Sequence, residues 1–393
     1  MKFNKYSINH YFIFIWSLLL VLIAVPVRYV KISPNKKTVI LYGHKLYGNL
    51  KAIYDSKSQI NSSIYFLTLD KNYYQNLAKK NVNVIYGLNL IHVIKVVKST
   101  VFVCDHGLHF YKILMYLSNI VFLDTNHGVT HNKDGLKFYN YFSKFDEVWM
   151  MSKYQKKLYE EYDYKSNNLV ITGYGRLDSL FEFTNKDKGG KVKIINNLKE
   201  KYEIKSKKVV LLAPTWVKKI EILDNENYPY NKIKFFEQLE NIGAKENLLF
   251  IYRPHMNDII SNEIYTFIQK SKFIVLRDLK TYTNTEDFLK MCDILITDWS
   301  SIALDYIILN RPVLFLDTLV PFVNGVHDEN ILRYGEVVKV QKLNEVLSLY
   351  VRNKELYFEN NPQHLKIKNV FHDIGLDGKS TERYIGRINN YLS

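Results

Sequence analysis

The residues with the most chemistry in their types and spacing lie in the run Asp298, Trp299, Ser300, Ser301, Ile302, Ala303, Leu304, Asp305. Apolar runs at 294–297 and 312–316 bracket it, which reads as two buried strands around a helix of about two turns. Ser300 and Ser301 are good N-cap residues. Together they would present hydroxyls and backbone N–H groups at the carboxyl end of a strand, where open α/β sheets bind phosphate. Asp305 is the only charge between Ile302 and Leu309. It falls four residues after Ser301, on the same helical face and pointing back toward the helix start. Its plainer reading is a buried carboxylate paired with Arg311, because an apolar helix tolerates a charge only beside a partner.

Four more stretches sit where apolar runs end. Asn126, His127, Gly128 follow one such run, and a His at a strand end beside a Gly that admits a ligand suits a general base. His127 and His131 share a metal-like i, i+4 spacing, but no acidic residue or cysteine completes a ligand set, so no metal is expected. Asp105, His106, Gly107 and His109 form a similar cluster that the sequence leaves open as the site, and a structural loop histidine is the plainer reading of either. In Gly173, Tyr174, Gly175, Arg176, Leu177, Asp178, a glycine turn carries Arg176 either toward a phosphate or onto Asp178. Thr215, in Ala213-Pro214-Thr215-Trp216, offers a hydroxyl to a ligand or to a turn. Arg253-Pro254-His255 holds a guanidinium and an imidazole apart by a rigid proline, a clamp for a diphosphate.

The elements that must position these residues alternate. Strand-like runs at 38–43, 63–68, 82–86, 100–105, 120–125, 146–151 and 169–173 are separated mostly by helical stretches. A second set follows at 209–214, 248–252, 273–276, 294–297 and 313–316. Alternation of this kind predicts parallel, doubly wound sheets. Between 182 and 208 the pattern lapses into nine lysines against four acidic residues, read as a basic linker with one surface helix. The expected organisation is an anchor and basic flank at 1–35, an α/β domain at 36–185, the linker at 186–207 and a second α/β domain at 208–393, with a cleft between the two sheets.

The anchor is the stretch from Tyr11 to Val27, seventeen residues without a charge, at the lower limit for a membrane-spanning helix. Lys2 and Lys5 precede it and Arg28, Lys31, Lys36 and Lys37 follow, which predicts a catalytic body on the cytoplasmic side. Val25, Pro26 and Val27 make a poor cleavage site for a signal peptide. A helix lying in the membrane interface is the other reading. The 393 residues hold 54 Lys and Arg against 39 Asp and Glu, a net charge of +15, and that surplus favours an anionic polymer or an acidic membrane face. The 31 tyrosines accompany a general richness in Asn, Lys and Ile and are not a nucleic-acid signal. Cys104 and Cys292, each beside an apolar run, read as buried thiols of a reducing compartment.

Taken together, the motifs at His127, Arg176, Thr215, His255, Asp298 to Asp305 and Leu376 to Tyr384 resemble the CDP-glycerol glycerophosphotransferase family, membrane-associated enzymes that build teichoic-acid-like polymers. The resemblance covers about residues 38 to 390. It implies a GT-B-like architecture of two Rossmann-type domains, with the nucleotide held by the second. It also implies transfer of a polyol phosphate from a CDP-linked donor to a hydroxyl of an anionic or lipid-linked glycan, with release of CMP and no cofactor. His127 would deprotonate the acceptor. Arg253 and His255 would offset charge on the diphosphate, Ser300 and Ser301 would hold phosphate oxygens, and Arg176, Thr215, Asp298 and Asp305 would assist. Residues Val129, Thr130 and His131 depart from the Pro and Lys that often follow the family's His-Gly. The competing readings are a GT-B glycosyltransferase using a nucleotide sugar and a membrane-tethered module that binds an anionic polymer.

Overall fold

The computed structural model describes residues 8–30, 37–126, 128, 144–162, 168–206, 208–217, 228–255, 257–279, 281–322 and 324–393. They divide into two compact units. The first carries the first sheet and the C-terminal segment from Asp377, and the second runs from Ser179 to Leu376.

The sheet of the first unit is built from β1 (Thr38–Tyr42), β2 (Ser63–Thr68), β3 (Val84–Tyr86), β4 (Val101–Cys104), β5 (Val121–Asp124), β6 (Glu147–Met150) and β7 (Leu169–Ile171). Their order is β3-β2-β1-β4-β5-β6-β7, with every pair parallel. The second sheet contains β8 (Lys208–Leu212), β9 (Leu248–Tyr252), β10 (Ile274–Leu276), β11 (Ile294–Thr297), β12 (Val313–Leu316) and β13 (Glu336–Val338). Its order is β10-β9-β8-β11-β12-β13, again all parallel. Helices on both faces explain why central strands such as Val101–Cys104, Ile294–Thr297 and Val313–Leu316 are buried throughout and read as unbroken apolar runs. Strand order reverses between β1 and β4 in one sheet and between β8 and β11 in the other. Each reversal opens a crevice at the carboxyl ends of its strands.

The helices used below are α1 (Ile8–Tyr29), α2 (Gly48–Asp55), α3 (Leu90–Val97), α4 (Lys188–Lys201), α5 (Thr285–Met291), α6 (Ile302–Tyr306) and α7 (Ser380–Leu392). The lysine-rich stretch folds as α4, capped by Asp187, whose carboxylate accepts from Gly190 N at 2.9 Å. The C-terminal α7 returns to the first unit. Asp178 accepts from Ser380 N at 3.0 Å and Thr381 N at 2.7 Å, and the Tyr384 ring stacks on Trp149 with centroids 4.4 Å apart. A Cβ on Gly175 would stand 2.8 Å from Thr381 Oγ1, so only glycine admits this approach. The stretches ending at Asp178 and Tyr384, distant in sequence, thus form one joint. Asp178 serves this joint by stabilising the N–H groups at the start of α7.

In α1, Ser17, Leu20, Val21 and Ala24 are buried at i, i+3, i+4 and i+7, one helical face. The helix lies against α3. Arg28 at its end donates to Val97 O at 2.6 Å and Ser99 O at 3.0 Å. Phe12, Ile15, Trp16 and Ile23 remain more than half exposed.

Candidate active site

Three of the expected site stretches meet the carboxyl edge of the second sheet. Asp298 follows β11 and is buried. Its Oδ1 accepts from Thr215 N at 2.8 Å and from Trp299 N at 2.6 Å, which ties the exit of β8 to the exit of β11 across the crevice. Burial pushes the Asp298 carboxyl up, while the hydrogen bonds from Thr215 and Trp299 and the charge of Arg333 pull it down. Thr297 Oγ1 donates to Ala213 O at 2.7 Å and closes the same seam.

Ser300 and Ser301 follow at the start of α6, both half-buried. The Ser300 hydroxyl accepts weakly from Ile302 N at 3.4 Å, and Ser301 makes no side-chain cap bond. The helix is short, Ile302–Tyr306 continued by a 3-10 turn through Leu309. It is held from outside: Tyr334 OH donates to Ala303 O at 2.7 Å, and His372 Nε2 lies 2.6 Å from Leu304 O. Asp305 is buried on this helix at 9% exposure. Arg311, the partner considered for it, donates to Lys290 O at 2.9 Å and Leu289 O at 3.3 Å, capping the carbonyls that end α5.

After β9 the Arg253-Pro254-His255 stretch divides its labour. Arg253 is 2% exposed. Its Nη1 donates to Arg277 O at 2.9 Å, its Nη2 donates to Tyr282 O at 2.7 Å and Thr285 Oγ1 at 3.0 Å, and the guanidinium lies 4.6 Å over the Phe288 ring. Burial lowers its pKa to about 10. This geometry differs from the diphosphate contact expected of Arg253. A buried guanidinium turns its donors to nearby protein oxygens, and here two carbonyls and a hydroxyl take them and brace the loop ahead of α5. His255 is half-buried and stacks on Trp216, centroids 5.5 Å apart and planes within 18°. Its Nδ1 accepts from Asn257 N at 3.3 Å, so the neutral ring carries its proton on Nε2 and presents it as a donor.

Arg333 is a contributor that no motif announced. It is buried, lies 4.4 Å over the Trp299 ring, and donates to Leu316 O at 3.2 Å and Glu329 at 3.3 Å. Trp299 Nε1 donates to Thr318 O at 3.1 Å. Arg333 thereby places a cation beside the Asp298 clasp. The one available signal was the i, i+4 pair Glu329 and Arg333 behind the N-cap Asp328.

The remaining expected residues belong to the first unit. Arg176 follows β7, and its backbone N–H donates to Asn49 Oδ1 at 3.2 Å. The Asn49 amide in turn donates to Thr125 O at 3.2 Å and Asn126 O at 2.9 Å. Asn49, buried on α2, therefore joins the loop carrying Arg176 to the residue immediately before His127 in the chain. His127 itself, with His131, lies outside the described residues. Among the described residues no group of three His, Cys, Asp or Glu is arranged to hold a metal ion.

Comparison with known proteins adds to this geometry. The model of the CDP-Glycerol:Poly(glycerophosphate) glycerophosphotransferase family matches residues 25–318. The teichoic acid poly(ribitol-phosphate) polymerase of Bacillus spizizenii is 26% identical over 250 residues, 62% of this chain and 37% of that protein. The teichoic acid glycerol-phosphate transferase of Staphylococcus aureus is 27% identical over 213 residues, 53% of this chain and 50% of that protein. The chain thus matches half or less of the length of these relatives. In fold, it is similar to the wall teichoic acid polymerase TagF, with a TM-score of 0.72 over 95% of this chain and 93% of that one at 16% identity. The architecture is GT-B-like.

Proposed function

Because the chain belongs to the CDP-glycerol:poly(glycerophosphate) glycerophosphotransferase family, we propose that it transfers glycerol phosphate, or a related polyol phosphate, from a CDP-linked donor to a hydroxyl of a teichoic-acid-like glycan, releasing CMP. The observation that carries the reading is the Asp298 clasp at the β8/β11 crevice, with Thr215, Ser300, Ser301 and His255 gathered at the same edge. That edge is where a nucleotide's phosphates meet a doubly wound sheet.

In this reading the acceptor oxygen bonds to the polyol-bearing phosphorus as the bond from that phosphorus to the bridging oxygen breaks. CMP leaves with the electron pair, and the acceptor's proton passes to His127. His255 Nε2–H and the Ser300 and Ser301 hydroxyls offset negative charge on the diphosphate. Asp298 fixes Thr215 and Trp299, Asp305 orients the serine pair, and Arg176 assists. Arg253 positions the His255 loop through its main-chain contacts. Charge stabilisation and alignment supply most of such a reaction's acceleration, so no covalent nucleophile is needed.

The partners are then the CDP-polyol, a lipid-linked or anionic acceptor and the membrane surface, with the catalytic body cytoplasmic. Packing on α3 supports an α1 that lies along the membrane interface in place of spanning it, because the buried face at Ser17 to Ala24 ties its second half to the catalytic body.

The test is His127→Ala in the full chain. Transfer should be abolished while donor affinity stays within a few-fold, since holding the donor does not require the acceptor's base. An unchanged rate would remove His127 from the base role.

A further inference from the structure

We propose that a cleft at the β12/β13 end of the second sheet, rimmed by Lys232, Lys234 and Lys339, holds phosphodiester groups of an already polymerised polyol-phosphate chain, away from the reacting end. The inference rests on the transfer reading above and uses residues to which that reading gives no role.

Along the carboxyl edge of the second sheet, β12 and β13 lie outward of β11. The chain leaving β12 carries Asp317, and the chain leaving β13 carries Lys339. The opposite wall is the start of the helix Ile233–Glu246, with Lys232 and Lys234. Gln238 of that helix donates through Nε2 to Val340 O at 2.9 Å, which ties the two walls together. The space between them measures about 780 Å³, the size of a ligand site and far more than one phosphate fills. Lys234 and Lys339 are exposed, and Lys232 is half-buried.

Among the described residues that line the cleft, three are lysines, one is acidic and none is arginine. The acidic one, Asp317, stands 3.9 Å from Arg333 Nη2, so a cation from outside the cleft offsets its charge. The walls are therefore net positive and favour an anion. The type of cation narrows the choice. An arginine fork grips one phosphate in a fixed geometry, whereas a lysine is a point charge on a flexible stem and accepts phosphates arriving at varied positions. The aromatic residue in the lining, Phe235, is 3% exposed and offers no open face for a nucleobase. A chain of phosphodiesters uses the whole space, and its individually weak ion pairs add up once its end is engaged elsewhere on the protein. The cleft also adjoins the transfer site. Arg333, behind Asp317, lies over the Trp299 ring beside the Asp298 clasp, so a chain reacting at that edge has the cleft next to it.

The test uses the full chain and a synthetic glycerol phosphate oligomer labelled with a fluorophore. Lys232→Gln, Lys234→Gln and Lys339→Gln combined should weaken oligomer binding at least tenfold, read by anisotropy without donor, and flatten its salt dependence. The same loss of charge on and beside α4, by Lys186→Gln, Lys188→Gln and Lys193→Gln combined, should leave binding within twofold. In transfer from CDP-glycerol, the cleft variant should raise the KM for the oligomer at least tenfold, while the CDP-glycerol KM and the kcat at saturating oligomer stay within twofold. Thermal melts verify folding, and Lys339→Gln alone, at an exposed position, carries the test through a loss of at least threefold should the triple variant fail to fold. Equal losses in the two triple variants would mean that the whole surface attracts the polymer, and a raised CDP-glycerol KM would mean that the cleft serves the donor. Either result overturns the proposal, as does a cleft variant that loses phosphatidylglycerol vesicles and keeps the oligomer. A chain that binds the oligomer through these lysines yet releases no CMP from CDP-glycerol would support the cleft and overturn the transfer reading.

Discussion

Arg253 and His255 stand two residues apart in one loop and answer different demands. The guanidinium is buried and donates to two carbonyls and a hydroxyl, whereas the imidazole is half-buried, stacked on Trp216, with Nε2 as its donor. Arg253→Ala should therefore cost about 2–4 kcal/mol of stability, as expected when buried acceptors lose charged donors. His255→Ala should leave stability within about 1 kcal/mol and strike turnover. Urea unfolding set beside turnover separates the two, and equal stability losses would contradict the division. From sequence, the motif suggested a single diphosphate clamp. That Arg253 faces inward depends on where Arg277, Tyr282 and Thr285 fall after folding, which residue type and local spacing do not encode. That Asp298, Ser300 and Ser301 follow the end of β11 was legible because a strand end is a local signal, whereas the side-chain cap bond expected of Ser301 is not made.

A second residue-scale consequence concerns pH. Asp124, at the end of β5, is pushed up to about 7 by burial, with Asp105 adding to the rise, while Asn126 N and Cys104 pull it down. A carboxyl raised in the folded state contributes stability below its unfolded value, near 4, and loses that contribution as pH climbs through the folded value. Wild-type stability should thus fall between pH 5 and pH 8 by more than that of Asp124→Asn. Urea midpoints at the two pH values check this, and parallel slopes would refute it.

At the scale of elements, strands were the most legible part. The runs at 63–68, 248–252, 294–297 and 313–316 fold as strands over those same bounds, because strands buried on both faces of a parallel sheet are continuously apolar. β13, three residues with Glu336 at its head, carries no such run and was missed. The return of α7 to the first unit was equally hidden, since its contacts at Asp178 and Trp149 are long-range. The same limit applies to α1, whose apolar length fits spanning and interfacial lodging alike and whose contact with α3 is long-range. Trp16, 53% exposed near the middle of the helix, discriminates. In vesicles containing lipids brominated at graded depths, an interfacial α1 should show Trp16 emission quenched most by shallow bromines, with Trp16→Phe giving the background from the other tryptophans. Strongest quenching at the bilayer centre would mean that α1 spans.

For the whole molecule, the +15 charge and two parallel-sheet units were foreseeable from composition and alternation, but neither names a reaction. GT-B-like folds also serve sugar transfer, so the chemistry lives in what attacks what. Attack at phosphorus releases a nucleoside monophosphate, and attack at a sugar carbon releases a nucleoside diphosphate. The most direct measurement incubates the full chain with CDP-polyols and nucleotide sugars, adds a membrane extract as acceptor, and identifies the released nucleotide by mass spectrometry. Acceptor-dependent CMP is the predicted result and would identify the polyol at the same time. Release of UDP or another nucleoside diphosphate, with no CMP, would contradict phosphoryl transfer.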